Sequence, residues 1–181
     1  MFVCGYVGPR ARAQRLHPAD CPHRKCTTAG GGGPASFRKS LQAIYTGELG
    51  VREASGNNDG ERVGAYLRYT GLPEGYSWCA AFVCWCYGKA GRAAPRNPWA
   101  PALFPERRVI WKSGKALAAP PQPGDVFGIW NNSLHRIAHV GFIDGRQGGY
   151  FLTVEGNSGN AVRRLRRKSA GIYRVADWVR R

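Results

Sequence analysis

The sequence predicts an α+β domain in which N-terminal helices pack on a C-terminal antiparallel β-sheet. Three observations carry that expectation. From Ser36 to Lys89 apolar residues recur at helical spacing or fill a helix-length run. Beyond the break Pro120-Pro-Gln-Pro-Gly124 the period drops to two, and strand-length runs alternate with turn formers. Helices first and strands second, rather than in alternation, argues for helices on one face of an antiparallel sheet.

The chain has 181 residues, enough for one domain with a real core. Residues 1–35 read as a basic, disordered tail and residues 36–181 as the folded domain. The tail carries Arg10, Arg12, Arg15, the stretch Cys21-Pro-His-Arg-Lys-Cys26 and a Gly-rich linker, without apolar periodicity. His17, Cys21, His23 and Cys26 are residue types that bind zinc, but their spacing matches no zinc motif. Ser36 to Gly50 reads as a helix capped by Ser36, with Phe37, Leu41, Ile44, Tyr45 and Leu49 on its apolar stripe. A polar loop, Val51 to Gly60, follows. Val63, Tyr66, Leu67 and Thr70 mark a second helix ending at Gly71. A third runs from Trp78 to about Lys89, with Ser77 as its cap and Gly91 as its stop. It is apolar all round and so should be buried.

Ala93 to Pro105 is Pro-rich and irregular, and Trp99 and Phe104 are expected to fold back onto the domain. Gly114 to Ala119 reads as a short helical or extended piece. Strands are expected over Asp125–Trp130, Ile137–Ile143, Tyr150–Glu155, Ala161–Arg166 and Ile172–Val175. The turns between them fall at Asn131-Asn132, Asp144-Gly145, Gly156-Asn157 and Ser169-Ala170-Gly171. The basic run Arg163-Arg-Leu-Arg-Arg-Lys168 fits an exposed strand face.

Composition narrows the partners. With 27 Lys and Arg against 11 Asp and Glu, the net charge is +16. That implies an anionic partner: nucleic acid, anionic lipid or an acidic wall polymer. An arginine-rich genome would also produce a basic surface. The six cysteines (4, 21, 26, 79, 84, 86) form no disulfide framework, and Cys84 and Cys86 point to different sides of one helix, so the thiols read as mostly reduced. No apolar run reaches eighteen residues, so no membrane span is expected. The first residues show no signal peptide.

The chemistry centres on Cys79, in the first turn of the third helix. Unpaired backbone N–H groups and the positive end of the helix dipole favour a thiolate there. A nucleophile needs a base, and the base an orienting group. His139 lies inside the apolar strand Ile137-Ala-His-Val-Gly-Phe, where an unpaired imidazole is costly. Glu155 ends the next strand, and an antiparallel neighbour brings Glu155 or Asn157 within reach of the ring. Taken singly, each has a plainer reading: Cys79 and His139 as core residues, Glu155 as a surface carboxylate, Asn157 as a turn residue. His135 is set aside as a loop residue.

Five pieces in order resemble CHAP-domain amidases and peptidases, of the papain-like NlpC-type superfamily that cuts bacterial peptidoglycan. They are Glu53-Ala-Ser-Gly-Asn-Asn-Asp-Gly60, Trp78-Cys-Ala-Ala-Phe-Val83, Pro123-Gly-Asp-Val126, His139-Val-Gly-Phe-Ile143 and Thr153-Val-Glu-Gly-Asn157. The resemblance covers about residues 40–160. It implies Cys79 as nucleophile, His139 as base and Glu155 as orienting carboxylate, with Asn157 assisting. It implies no metal or organic cofactor. Some phage relatives bind calcium before the cysteine, but Asn57, Asn58 and Asp59 offer only one carboxylate. The substrate implied is peptidoglycan, and the basic tail and Arg-rich strand can bind anionic wall polymers. A phage lysin, an autolysin or an injected toxin all fit, delivered by lysis or a non-classical route and otherwise cytoplasmic. Two rivals stand beside this reading. One is a basic nucleic-acid-binding protein using Arg163 to Lys168 with Tyr173 and Trp178. The other is an inactive CHAP-like binding module.

Overall fold

Among the described residues three α-helices precede seven strands. The computed structural model describes residues 33–113, 115–116 and 119–180. Most of the tail expected over 1–35, including His17, Cys21, His23 and Cys26, lies outside the described residues. The helices are α1 (Pro34–Gly47), α2 (Glu61–Tyr69) and α3 (Cys79–Lys89). The strands are β1 (Val109–Lys112), β2 (Lys115–Ala116), β3 (Val126–Asn131), β4 (Arg136–Gln147), β5 (Tyr150–Glu155), β6 (Arg163–Lys168) and β7 (Arg174–Ala176). They form one sheet in the order β2-β1-β7-β3-β4-β5-β6, and every neighbouring pair is antiparallel. No helix among the described residues is long and apolar enough to cross a membrane.

Helix α1 starts two residues before Ser36. Pro34 takes the first helical position, where its fixed φ suits the turn and its missing N–H costs nothing. The Gly33 carbonyl accepts from Ser36 and Phe37 N–H, so Ser36 is inside the helix and caps nothing. Leu41 and Tyr45 are fully buried, and the Tyr45 ring stacks on Phe142 of β4 at 4.5 Å. Arg38 is also buried. It pairs with Asp125 at 2.7 Å and Asp177 at 3.1 Å, tying α1 to the entry of β3 and to the C-terminal segment. Burial nevertheless pushes the Asp125 carboxyl up to about 6, with Arg38 opposing.

Helix α3 is buried from Cys79 to Tyr87. It packs on α2, α1 and β4. Trp78, not Ser77, holds the N-cap position: its carbonyl accepts the Phe82 N–H at 2.8 Å, and no side chain caps the helix. Gly91, at φ +85°, ends it in the left-handed conformation expected of a glycine stop. The Phe82 ring meets Phe142 edge-on at 5.9 Å, locking the helix to β4.

Strand β1 was not anticipated. Val-Ile-Trp favours a strand, but four residues between two Arg and a Ser leave little periodic signal. Phe104 is buried as expected, whereas Trp99 is 57% exposed. Its N–H is held by Asn97 Oδ1 at 2.9 Å in a Pro-flanked turn that aims the ring outward. Strand β4 passes straight through the expected turn at Asp144-Gly145. The register with β5 shifts between Ile143 and Gly145, so Asp144 is the extra residue of a bulge. Its carboxylate accepts from Gln42 and Tyr45 and pairs with Arg164, which holds the bulge in place. The reversal comes later, at Gly148-Gly149. Ala161 precedes β6 and only bridges to Arg52.

Candidate active site

Two glycines allow three elements to converge. Strand β4 pairs with β3 so that Ile129 stands opposite His139, with a register shift on its far side. On the other flank Phe142 pairs with Val154, and continuing that register puts Gly141 opposite Glu155. A Cβ on Gly141 would lie 3.0 Å from the Glu155 Cγ and 2.8 Å from the Val154 carbonyl oxygen. The missing side chain leaves Glu155 free to reach diagonally to His139. A Cβ on Gly156 would meet Phe82 at 2.7 Å and the Trp78 ring at 2.8 Å. The end of β5 can therefore lie against the first turn of α3, which begins with Cys79.

The Glu155 carboxylate is fully buried and takes four hydrogen bonds. His139 Nε2 approaches Oε2 at 2.7 Å. Arg167 grips both oxygens, with Nη2 on Oε2 at 2.6 Å and Nε on Oε1 at 2.8 Å. Thr153 Oγ1 donates to Oε1 at 2.6 Å. Burial pushes this carboxyl up, but Arg167, His139 and Thr153 together hold it at about 2. The His139 imidazole is likewise pulled down by burial. Hydrogen bonds and charge from Cys79 and Glu155 outweigh that and raise it to about 9. At neutral pH the ring is an imidazolium beside a carboxylate. With Nε2 turned to Glu155, Nδ1 is the nitrogen left for the Cys79 sulfur.

The structure thus brings Cys79, His139 and Glu155 together. Asn157 lies elsewhere. Its backbone is left-handed at φ +55°, and its amide donates to Asn58 Oδ1 at 3.0 Å instead of to the imidazole. It joins the end of β5 to the Glu53–Gly60 loop. In that loop Glu53 Oε1 accepts the Trp78 indole N–H at 2.8 Å, and Oε2 accepts the Asn58 N–H. Asp59 is occupied by the Ser55 N–H and hydroxyl. Among the described residues no three His, Cys, Asp or Glu side chains are grouped to hold a metal ion.

Sequence reasoning missed Arg167 and Thr153. Thr153 lies two residues before Glu155, on the same strand face. Arg167 was read as part of a uniformly exposed run, yet Leu165 and Arg167 alternate as half-buried positions among exposed neighbours. Burial pushes the Cys84 thiol up to about 12 and Cys86 well above its ordinary value, so these two stay protonated inside the helix.

Cys79 lines a cleft of about 330 Å³ with Leu72, Tyr76, Ser77, Trp99 and Arg136. Tyr76 and Trp99 stand at its rim, more than half exposed. Trp78 is fully buried, and Trp130 lines an adjoining groove.

A helix-borne thiol, a strand-borne imidazole and a buried carboxylate on an α+β scaffold are groups able to supply a nucleophile, a base and an orienting anion. The family model described as CHAP domain matches residues 71–157, a span that contains all three. That match identifies residues 71–157 as a CHAP domain, a family whose members are generally amidases and peptidases of the peptidoglycan-hydrolase type. No curated protein and no solved structure matches the chain significantly.

Proposed function

We propose that this protein is a cysteine-dependent peptidoglycan hydrolase, an amidase or endopeptidase with a papain-like (NlpC-type) site. The observation that carries the reading is the line from Cys79 through His139 to Glu155, with His139 raised to about 9 by its two neighbours. The Cys79 sulfur, its proton already held on the His139 imidazolium, attacks the carbonyl carbon of an amide in the stem peptide or cross-bridge. The tetrahedral oxyanion is met by the Cys79 backbone N–H, one of the unpaired donors of the first turn of α3, and by a second donor from Tyr76 or Ser77. His139 then protonates the leaving nitrogen as the C–N bond breaks, leaving a thioester on Cys79. Water attacks the thioester while His139 takes its proton. The C–S bond breaks, the carboxylic acid departs, and the Cys79 sulfur is left as the anion beside the protonated His139. Glu155 keeps the ring oriented and charged without itself taking a proton. The exposed edge strand β6 supports wall attachment, because Arg163, Arg166 and Lys168 form no ion pair among the described residues.

The test is digestion of purified peptidoglycan by wild type and Cys79→Ala under reducing conditions, at low and high salt, with mass spectrometry of the fragments. Release by wild type alone is the expected result, and the new amine terminus names the bond. Equal release by both removes Cys79 from the mechanism. No release by either, with salt-sensitive binding to walls or DNA retained, replaces the enzyme by a binding module.

A further inference from the structure

The Cys79 cleft continues past its rim. Trp99 and Arg136 also line a second groove of about 480 Å³, which runs on beside Trp130, Leu134 and Tyr173. The large apolar side chains most exposed among the described residues are Tyr76, Trp99, Trp130 and Leu134, and each lies on one of these two surfaces. Their clustering marks a place where a ligand covers apolar area.

The charge in this region is one-sided. Among the described residues no Asp, Glu, Asn or Gln lines either groove, so the carboxylate and amide acceptors that commonly take a sugar's hydroxyls are missing from the lining. Two guanidiniums line the second groove. Arg174 is neutralised by Glu106 at 2.8 Å. Arg136 has no carboxylate partner among the described residues; its one hydrogen bond goes to the Ile137 carbonyl at 3.2 Å. It is half-buried, stands at the junction of the two grooves, and precedes His139 by three residues on β4. A guanidinium partly removed from water and left without an anion is costly, and its fork matches a carboxylate.

We infer that Arg136 binds a carboxylate of the peptide being cut, close to the scissile amide, and that the groove beyond it holds the rest of that peptide against Trp99 and Trp130. The substrate is thereby an anionic peptide, and the choice between free acid and carboxamide is made at Arg136. The inference rests on the reading of Cys79 as the nucleophile.

The experiment compares two soluble muramyl peptides that differ only in whether their carboxylates are free or amidated. Wild type, Arg136→Gln, Arg136→Lys and, as a surface control, Lys39→Gln are assayed for kcat and KM. Wild type is expected to prefer the free acid by about 10- to 100-fold in kcat/KM, mostly through KM, the range of a charge-assisted hydrogen bond. Arg136→Gln loses that preference. Arg136→Lys keeps part of it, because the charge remains and the fork is gone, and Lys39→Gln keeps all of it. A wild type indifferent to amidation, or an Arg136→Gln variant that still prefers the acid, overturns the inference while leaving Cys79 as nucleophile. Failure of wild type to cut either peptide or intact walls overturns both.

Discussion

Replacing Arg167 with methionine should weaken the fold and the reaction together, because both depend on one carboxylate. Glu155 has no exposed surface, yet its carboxyl is held at about 2 against an ordinary 4.5. Burial pushes it up, and Arg167 is the strongest of the three partners that oppose burial. The displacement corresponds to about 3 kcal/mol in favour of the carboxylate. The Arg167 side chain is 34% exposed, so water screens part of its share. Arg167→Met is therefore expected to cost about 1–3 kcal/mol, with a loss in Tm of about 2–4 °C for each kcal/mol. A depressed carboxyl contributes stability that is present above about 4.5 and lost as the pH falls through about 2. Without Arg167 that loss begins at higher pH, and the acid limb of kcat/KM on purified peptidoglycan moves up with it. Arg167→Lys should fall between, since an ammonium cannot grip both oxygens as a fork does. Arg166→Met is the control: its guanidinium lies over the Tyr150 ring at 3.9 Å and does not touch Glu155. An Arg167→Met protein that melts with Arg166→Met and keeps the wild-type acid limb would refute the reasoning.

Two further perturbations test the same geometry. His139 has the opposite sign: its pKa rises from 6.5 to about 9 on folding, so its contribution, about 3 kcal/mol, is complete below 6.5 and lost as the pH rises through 9. Thermal melts at pH 6 and 9.5 should show a larger fall for wild type than for His139→Gln; equal falls contradict it. Gly156→Ala puts a methyl 2.7–2.8 Å from Phe82 and Trp78 and should cost about 1–3 kcal/mol by overpacking. It should also lower kcat by at least about tenfold by displacing β5 from α3, and denaturant melts with a wild-type midpoint and unchanged turnover would count against that.

What the sequence revealed was what local rules govern. An apolar helix entered through a Pro-Glu-Gly turn announces both its burial and the position of Cys79. A histidine in the strand Ile137-Ala-His-Val-Gly-Phe needs a partner, and consecutive strands supply one. The misses share a different cause. Asp144-Gly145 reads as a turn because turns and bulges favour the same residues, and only the pairing of β4 with β5 separates them. Trp78 and Trp99 are alike as residues but meet opposite fates: Glu53, distant in sequence, holds one inside, and the local turn at Asn97 sends the other out. Asn157 lies two residues from Glu155 in sequence, but its left-handed backbone carries its amide away to Asn58. The fork of Arg167 on Glu155 is a contact between neighbouring strands, invisible in a run of five cations among six residues.

That last contact changes what the net charge of +16 means. Several cations are spent inside the domain: Arg38 on Asp125 and Asp177, Arg62 on Glu48, Arg164 on Asp144, Arg167 on Glu155 and Arg174 on Glu106. Pairing leaves the sum unchanged but decides where unopposed charge remains. Two such places are the outer positions of β6 and the junction at Arg136. They differ physically. The β6 cations face solvent, and their attraction for a polymer fades over a screening length of about 8–10 Å at ordinary salt. Arg136 is half-buried and acts at contact distance between Trp99 and the neighbouring apolar walls, where counter-ions compete less. On the proposed function, salt is therefore expected to loosen attachment to the wall while leaving the discrimination between acid and amide at the cleft largely intact, so that a protein washed off its substrate in high salt should still choose among soluble peptides.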